Sequence, residues 1–161
     1  MRSSWIGSLA VALLIIAVLA GCDGDRVYQN FTDFDSQFWH QDTVVTFRFK
    51  IEDAGRAYNL KTLFRNSQQY PYHNLYYQYT LADERDSVLS QELMQIFLFD
   101  PKTGVPLGGG VGEVYDTDQV VLENFMFPST GEYEVSITQY MRLDTLPNVH
   151  SVGWRVENIK K

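Results

Sequence analysis

Val45-Thr46-Phe47-Arg48-Phe49-Lys50-Ile51 places an apolar side chain at every odd position and a polar or charged one at every even position. Successive side chains of an extended chain point to opposite faces, so this is a strand with one face in a core and the other in water. Outward from it the period of two returns. Glu52-Asp53-Ala54-Gly55 reads as a turn, after which Tyr58, Leu60, Thr62 and Phe64 alternate with Asn59, Lys61, Leu63 and Arg65. Tyr70-Pro71-Tyr72-His73-Asn74 is an irregular link, because Pro71 lacks a donor and holds Tyr70 extended. Leu75, Tyr77, Tyr79 and Leu81 then resume the alternation, and Asp83-Glu84-Arg85-Asp86 closes a hairpin.

Residues 87–99 fit a helical stripe (Leu89, Leu93, Ile96, Phe97) as well as a strand with Leu89, Leu93, Phe97 and Phe99 on one face; the neighbouring strands decide for the strand. Asp100-Pro101-Lys102-Thr103-Gly104 is a turn. Further strands are expected over 120–127, over 133–140 with Tyr133, Val135 and Ile137 on one face, and over 149–159 with Val152, Trp154 and Val156 inward. Ten Tyr and ten Phe, mixed with Val and Thr, favour strands over helices. Seven or eight short strands joined by turns predict an all-β fold, an antiparallel β-sandwich of jelly-roll-like arrangement, in residues 44–161.

Ahead of that domain, Met1 and Arg2 precede an uncharged apolar run over 5–20, the layout of a signal peptide occupying residues 1–21. Leu19-Ala20-Gly21-Cys22 resembles a bacterial lipobox, which would make Cys22, the only cysteine, a diacylated mature N-terminus. The competing reading is an uncleaved membrane anchor. The run is slightly short of the roughly 20 apolar residues a span needs, and Asp23, Gly24, Asp25 and Arg26 follow at once. Residues 22–43 then read as a lipidated tether that begins to dock on the domain, with one helical turn allowed by the spacing of Phe31, Phe34 and Phe38.

The formal charge of the whole chain is −7. Residues 1–21 carry one basic residue and no acidic one, so cleavage leaves 12 basic against 20 acidic residues and a charge of −8. An acidic surface argues against nucleic acid and against attachment of the domain's face to an anionic membrane. Attachment then falls to the lipid, in a cell envelope, with the outer membrane favoured over the inner.

No catalytic constellation stands out. Gly108-Gly109-Gly110-Val111-Gly112 lacks the Lys-Ser/Thr of a phosphate loop, and reads as a mobile loop or a close approach of two backbones. His40, His73 and His150 have no ligand spacing, so no metal or other cofactor is expected. Glu132 and Glu134 share a strand face, as in some sandwich-fold glycosidases, but lie opposite an apolar face as a solvated surface would. The aromatics of residues 70–79, with Tyr70, Tyr72, His73, Asn74, Tyr76, Tyr77 and Tyr79, suit stacking on sugar rings, a contact patch for a protein, or burial.

Arg65-Asn66, Tyr70-Pro71-Tyr72, Asn74-Leu75, Gly131-Glu132-Tyr133 and Ile137-Thr138-Gln139-Tyr140-Met141-Arg142 occur in this order. With Leu146 and Val152-Gly153-Trp154-Arg155-Val156-Glu157 they resemble the gliding motility lipoprotein GldH family of Bacteroidota, over nearly the whole mature chain. Departures fall in turns, at residues 102–108 and at Pro147-Asn148. The resemblance implies a non-enzymatic envelope lipoprotein associated with the machinery that moves and secretes surface adhesins, although relatives also occur in Bacteroidota that do not glide. Its recurrent Arg65, Asn66, Tyr70, Tyr72, Asn74, Arg142 and Arg155 are the candidate contacts to a protein partner or a glycan. The arginines equally suit forks that satisfy carbonyls at strand ends. The alternative function is a surface glycan-binding module built on the aromatics of residues 70–79.

Overall fold

The computed structural model describes residues 25–159; the signal segment expected over 1–21 and the expected lipidation site Cys22 lie outside the described residues. The described residues form eleven strands and no helix. In chain order they are β1 (Arg26–Asp33), β2 (Phe38–His40), β3 (Val45–Ile51), β4 (Ala57–Ser67), β5 (Asn74–Asp83), β6 (Val88–Phe97), β7 (Gly109–Val111), β8 (Val114–Met126), β9 (Gly131–Gln139), β10 (Thr145–Pro147) and β11 (Val149–Asn158).

Four antiparallel pairings are nested one inside the next: β5 with β6, β4 with β8, β3 with β9, and β1 with β11. The chain is thus one long hairpin, and it rolls up when β11 also pairs β4 and β9 also pairs β5. Two sheets result, β1-β11-β4-β8-β7 and β3-β9-β5-β6, with β10-β2 as a small separate ribbon. That order is a jelly roll, as the alternating strands predicted.

The odd positions of β3 are buried, with Val45, Phe47, Phe49 and Ile51 facing Tyr133, Val135 and Ile137 of β9 in the core. Phe127 packs against Tyr133 at 4.5 Å, Phe64 against Tyr77 at 4.8 Å and Tyr79 against Trp154 at 6.2 Å, so aromatic rings fill the space between the sheets. Burial of each such side chain contributes about 1.5–3 kcal/mol. One polar chain crosses the core: Thr62 Oγ1 lies 2.7 Å from the Tyr77 hydroxyl, which donates to Gln119 Oε1 at 2.8 Å, and Gln119 Nε2 donates to the Gln95 carbonyl at 3.0 Å. It ties β4, β5, β8 and β6 together where the two sheets part.

Because each of the eight long strands β1, β3, β4, β5, β6, β8, β9 and β11 reverses the one before it, the connections divide between two poles. Residues 52–56, 84–87 and 127–130 join strands at the near pole, where Asn158 N–H also donates to the Asp25 carbonyl. The links 34–44, 68–73, 98–108 and 140–144 lie at the far pole. The 11 residues of β4 set the two poles about 36 Å apart.

The N-terminal stretch corrects two expectations. Residues 26–33 are not a tether but the edge strand β1, paired with β11 from Arg26 to Asp33, so the sandwich begins ahead of residue 44. Phe31, Phe34 and Phe38 form no helical turn: Phe31 belongs to β1, Phe38 to β2, and Phe34 lies between them, stacked 5.8 Å from Trp39. The glycine run is built into β7, whose backbone presses on β8. A Cβ at Gly108 would collide with the Asp116 carbonyl and one at Gly110 with the Val114 carbonyl, while Gly112 takes φ +70° in the tight turn to β8.

Candidate functional site

Alternation along β5 splits the tyrosine-rich stretch in two. Leu75, Tyr77, Tyr79 and Leu81 point into the core, whereas Tyr76, Gln78 and Thr80 face outward. Tyr70, in the link ahead of β5, is buried too; its hydroxyl donates to the Asn74 carbonyl at 3.0 Å and its ring stacks 6.5 Å from Phe99. Burial pushes the Tyr70 and Tyr77 hydroxyls well above the usual tyrosine range, so both remain neutral donors. Tyr72 meets the edge of Tyr70 at 6.0 Å and is itself exposed.

Register then adds residues from distant sequence. Asn74 pairs with Phe97 and Tyr76 with Gln95 on β6, and on the other side Tyr140 N–H donates to the Tyr76 carbonyl at 2.8 Å. Phe97 stacks on His73 at 5.8 Å. The far-pole corner of the four-stranded sheet therefore carries Tyr72, Tyr76, Phe97 and Tyr140 at 37%, 39%, 43% and 56% exposure. The outward positions continuing down this face, Gln78, Thr80, Gln91, Leu93 and Gln95, bear no charge. This corrects the facing expected for β6. Leu93 and Phe97 are exposed, while Met94, Ile96 and the following Leu98 turn inward, because Ile96 lies opposite Leu75 and Met94 opposite Tyr77.

Of the other expected contacts, Arg65, Asn66 and Arg155 do not join this corner. Arg65 lies on the outer face of the five-stranded sheet, forked onto Asp116 at 2.7 and 2.9 Å with its guanidinium 5.8 Å from the Phe31 ring. The hydrogen bond to Asp116 outweighs desolvation and raises the Arg65 pKa. Arg155, on the same face, donates to Gln29 at 2.7 Å and to Glu157 at 3.1 Å. Lys61 reaches Glu157 at 3.0 Å and Asp118 at 3.5 Å. Asn66 is buried, its amide donating to the Ser67 carbonyl at 3.1 Å and its Oδ1 lacking a partner among the described residues. Arg142 sits exposed on the link after β9.

Glu134 is ion-paired with Arg48 at 2.7 Å, and Glu132 lies opposite Lys50 on the same exposed face. Among the described residues no three His, Cys, Asp or Glu side chains gather as a metal site would require, and no helix is long and apolar enough to cross a membrane.

The class this defines is a small jelly-roll domain with a charge-paired face on one sheet, an uncharged aromatic corner on the other and no membrane-spanning helix among the described residues. The chain belongs to the GldH lipoprotein family, whose description matches residues 26–156. It is 30% identical to the gliding motility lipoprotein GldH homolog of Christiangramia forsetii, covering 98% of both chains. To the gliding motility lipoprotein GldH of Flavobacterium johnsoniae it is 28% identical, covering 94% of this chain and 97% of that one. Among solved structures, it is similar to the infectious bursal disease virus VP2 subviral particle, at TM-score 0.44 and 13% identity, over 84% of this chain and 33% of that one.

Proposed function

We propose that this chain is a non-enzymatic envelope lipoprotein, held by lipid on Cys22, that supports gliding motility or the associated secretion machinery through protein contacts at its far-pole aromatic corner. The observation that carries the reading is the uncharged corner itself, standing on a chain whose full-length relatives are named for gliding motility. Exposed tyrosine and phenylalanine beside neutral amides offer large contact area at little desolvation cost, which is the composition of interface centres. Anchor geometry adds to it. Four residue steps separate Cys22 from Arg26, a reach of at most about 14 Å, so a lipid there holds the near pole at the membrane and turns the corner away from it.

The test is complementation of a deletion strain with Tyr76→Ala/Phe97→Ala and, separately, Cys22→Ser. Loss of surface spreading by the aromatic double variant, at normal abundance and in the membrane fraction, is expected; normal spreading sinks the role of the corner. Cys22→Ser should shift the protein out of the membrane fraction. A second reading has its own support, since Gln78, Gln95 and Thr80 beside the rings also suit a neutral glycan. Release of the bound partner by free sugars would move the assignment there.

A further inference from the structure

Seven of the ten arginines and lysines among the described residues hold a carboxylate within 3.8 Å, and Arg26 is engaged as well. Two remain. Lys102 has a carboxylate in its own turn, where Asp100 Oδ1 accepts its backbone N–H at 2.9 Å. Arg142, exposed on the link after β9, is answered by no acidic side chain among the described residues. The link that carries it is nevertheless fixed. Tyr140 N–H donates to the Tyr76 carbonyl at 2.8 Å, and Met141 Sδ accepts the Tyr76 N–H at 3.2 Å. The buried side chain of Gln139 grips both neighbours of Arg142, its Oε1 accepting Met141 N–H at 2.7 Å and its Nε2 donating to the Leu143 carbonyl at 2.8 Å. A backbone clamped on both sides of an exposed, unanswered guanidinium has met much of the ordering cost of a contact before any partner arrives. Tyr140 and Leu143 flank it at 56% and 37% exposure, and the clamp sets it at the rim of the aromatic corner.

We infer that Arg142 is the specificity-determining contact of the corner, and that it pairs with one Asp or Glu carboxylate set among apolar residues in a segment of a partner protein. A guanidinium presents paired N–H donors whose fork matches a carboxylate. Docking of apolar side chains on Tyr140 and Leu143 removes water from around the pair and strengthens it. The chain as a whole carries a charge of −7, so a run of acidic residues is repelled where a single one is not. A sugar acid fits less well, because Leu143 offers its hydroxyls no partner. The inference rests on the protein-contact reading above and names the chemistry of that partner.

The probe is a phage-displayed library of random peptides, panned on the full lipidated chain in nanodiscs. Peptides with a single Asp or Glu between aromatic or aliphatic residues are expected. Binding of a selected peptide should fall by about tenfold or more for Arg142→Glu, and by less for Arg142→Lys, which keeps the charge and loses the fork. Replacing the peptide carboxylate by lysine should restore binding to Arg142→Glu. The melting temperature should hold in each variant, since an exposed, unpaired arginine supports nothing in the fold. Selected peptides without a carboxylate, equal binding by Arg142→Glu, no selected peptide, or a lowered melting temperature in Arg142→Gln overturns the proposal. Binding of oligogalacturonate that Arg142→Glu abolishes, with no peptide selected, hands the site to a sugar acid and overturns it too. Normal spreading by Tyr76→Ala/Phe97→Ala, beside peptides that still need Arg142, sinks the functional reading alone. Lost spreading beside peptides indifferent to Arg142 sinks this inference alone.

Discussion

The outer faces of the two sheets spend their polar residues differently. On the five-stranded sheet, Lys61, Arg155 and Glu157 are each about one-fifth exposed and bind one another or Asp118 and Gln29, so each charge is answered within the face. On the β5–β6 half of the other sheet the outward positions Tyr76, Gln78, Thr80, Gln91, Leu93, Gln95 and Phe97 carry no charge, and the rings of Tyr76 and Phe97 stand open. Paired, half-desolvated charges cost several kcal/mol to separate for a new partner, whereas neutral amides and rings lose little on leaving water. The first face is finished as structure, and the second has contact capacity left over.

The largest break in this contrast is expected at Gly153, beneath the charged face. A Cβ there would stand 2.6 Å from Phe31 Cδ1 and 3.0 Å from the Asn30 carbonyl, so Gly153→Ala must push β1 off β11. Overpacking of this kind costs about 1–3 kcal/mol, and a shift of that size in the urea midpoint is expected. Most of it should vanish in a Phe31→Ala background; an equal loss in both backgrounds would place the strain in the backbone instead.

Next come two substitutions of like chemistry at unlike exposure. Lys61→Met leaves Asp118 without its close cation and Glu157 with Arg155 alone, at 19% exposure of the lysine, and should lose about 1–2 kcal/mol. Arg48→Met breaks a pair that is shorter still, at 2.7 Å, but in which the arginine is 80% exposed, and the change should stay within about 0.5 kcal/mol. Added salt should erase the second difference and leave most of the first. Equal losses would mean that the charged face is no more closed than the rest of the surface.

How much of this was legible beforehand depends on which link carried the signal. The alternation in Val45–Ile51 fixes its inward residues because side-chain period and burial are the same fact on a half-buried strand. β1 escaped notice for the opposite reason. Its Gln29, Asn30, Thr32 and Asp33 are held by backbone pairing to β11 and, for Gln29, by Arg155, so an edge strand left little apolar pattern to read. Within residues 70–79 the split between inward and outward tyrosines follows from period two, once Asn74 is known to start the strand. The neighbours Phe97 and Tyr140 are visible only through register, which depends on turn lengths and pairings between strands far apart in sequence. Arg65 and Arg155 stood out in the sequence as candidate contacts, but nothing local says that Asp116, Gln29 and Glu157 answer them.

The smallest expected effect sharpens the comparison by acid. The uncharged face hangs from the β5–β6 hairpin, and the turn of that hairpin is held by one carboxylate. Asp83 accepts the N–H of Ser87 at 3.0 Å and of Arg85 at 2.9 Å, and these two bonds, Ser87 first, hold its carboxyl below the usual aspartate range. A depressed pKa contributes stability that is complete above the unfolded value, about 3.9, and is lost as pH falls through the folded one. The amide proton resonances of Ser87 and Arg85 should therefore move together with a midpoint below pH 3.9, and in Asp83→Asn that step should disappear. Because the lost bonds sit at the start of β6, acid should also quicken amide exchange in the β5–β6 ladder at Glu92 and Met94 before it does so at Lys61 and Arg155. The reverse order would show that the charged face, with its many carboxylates, is the first to loosen, and that its pairing is weaker than its geometry implies.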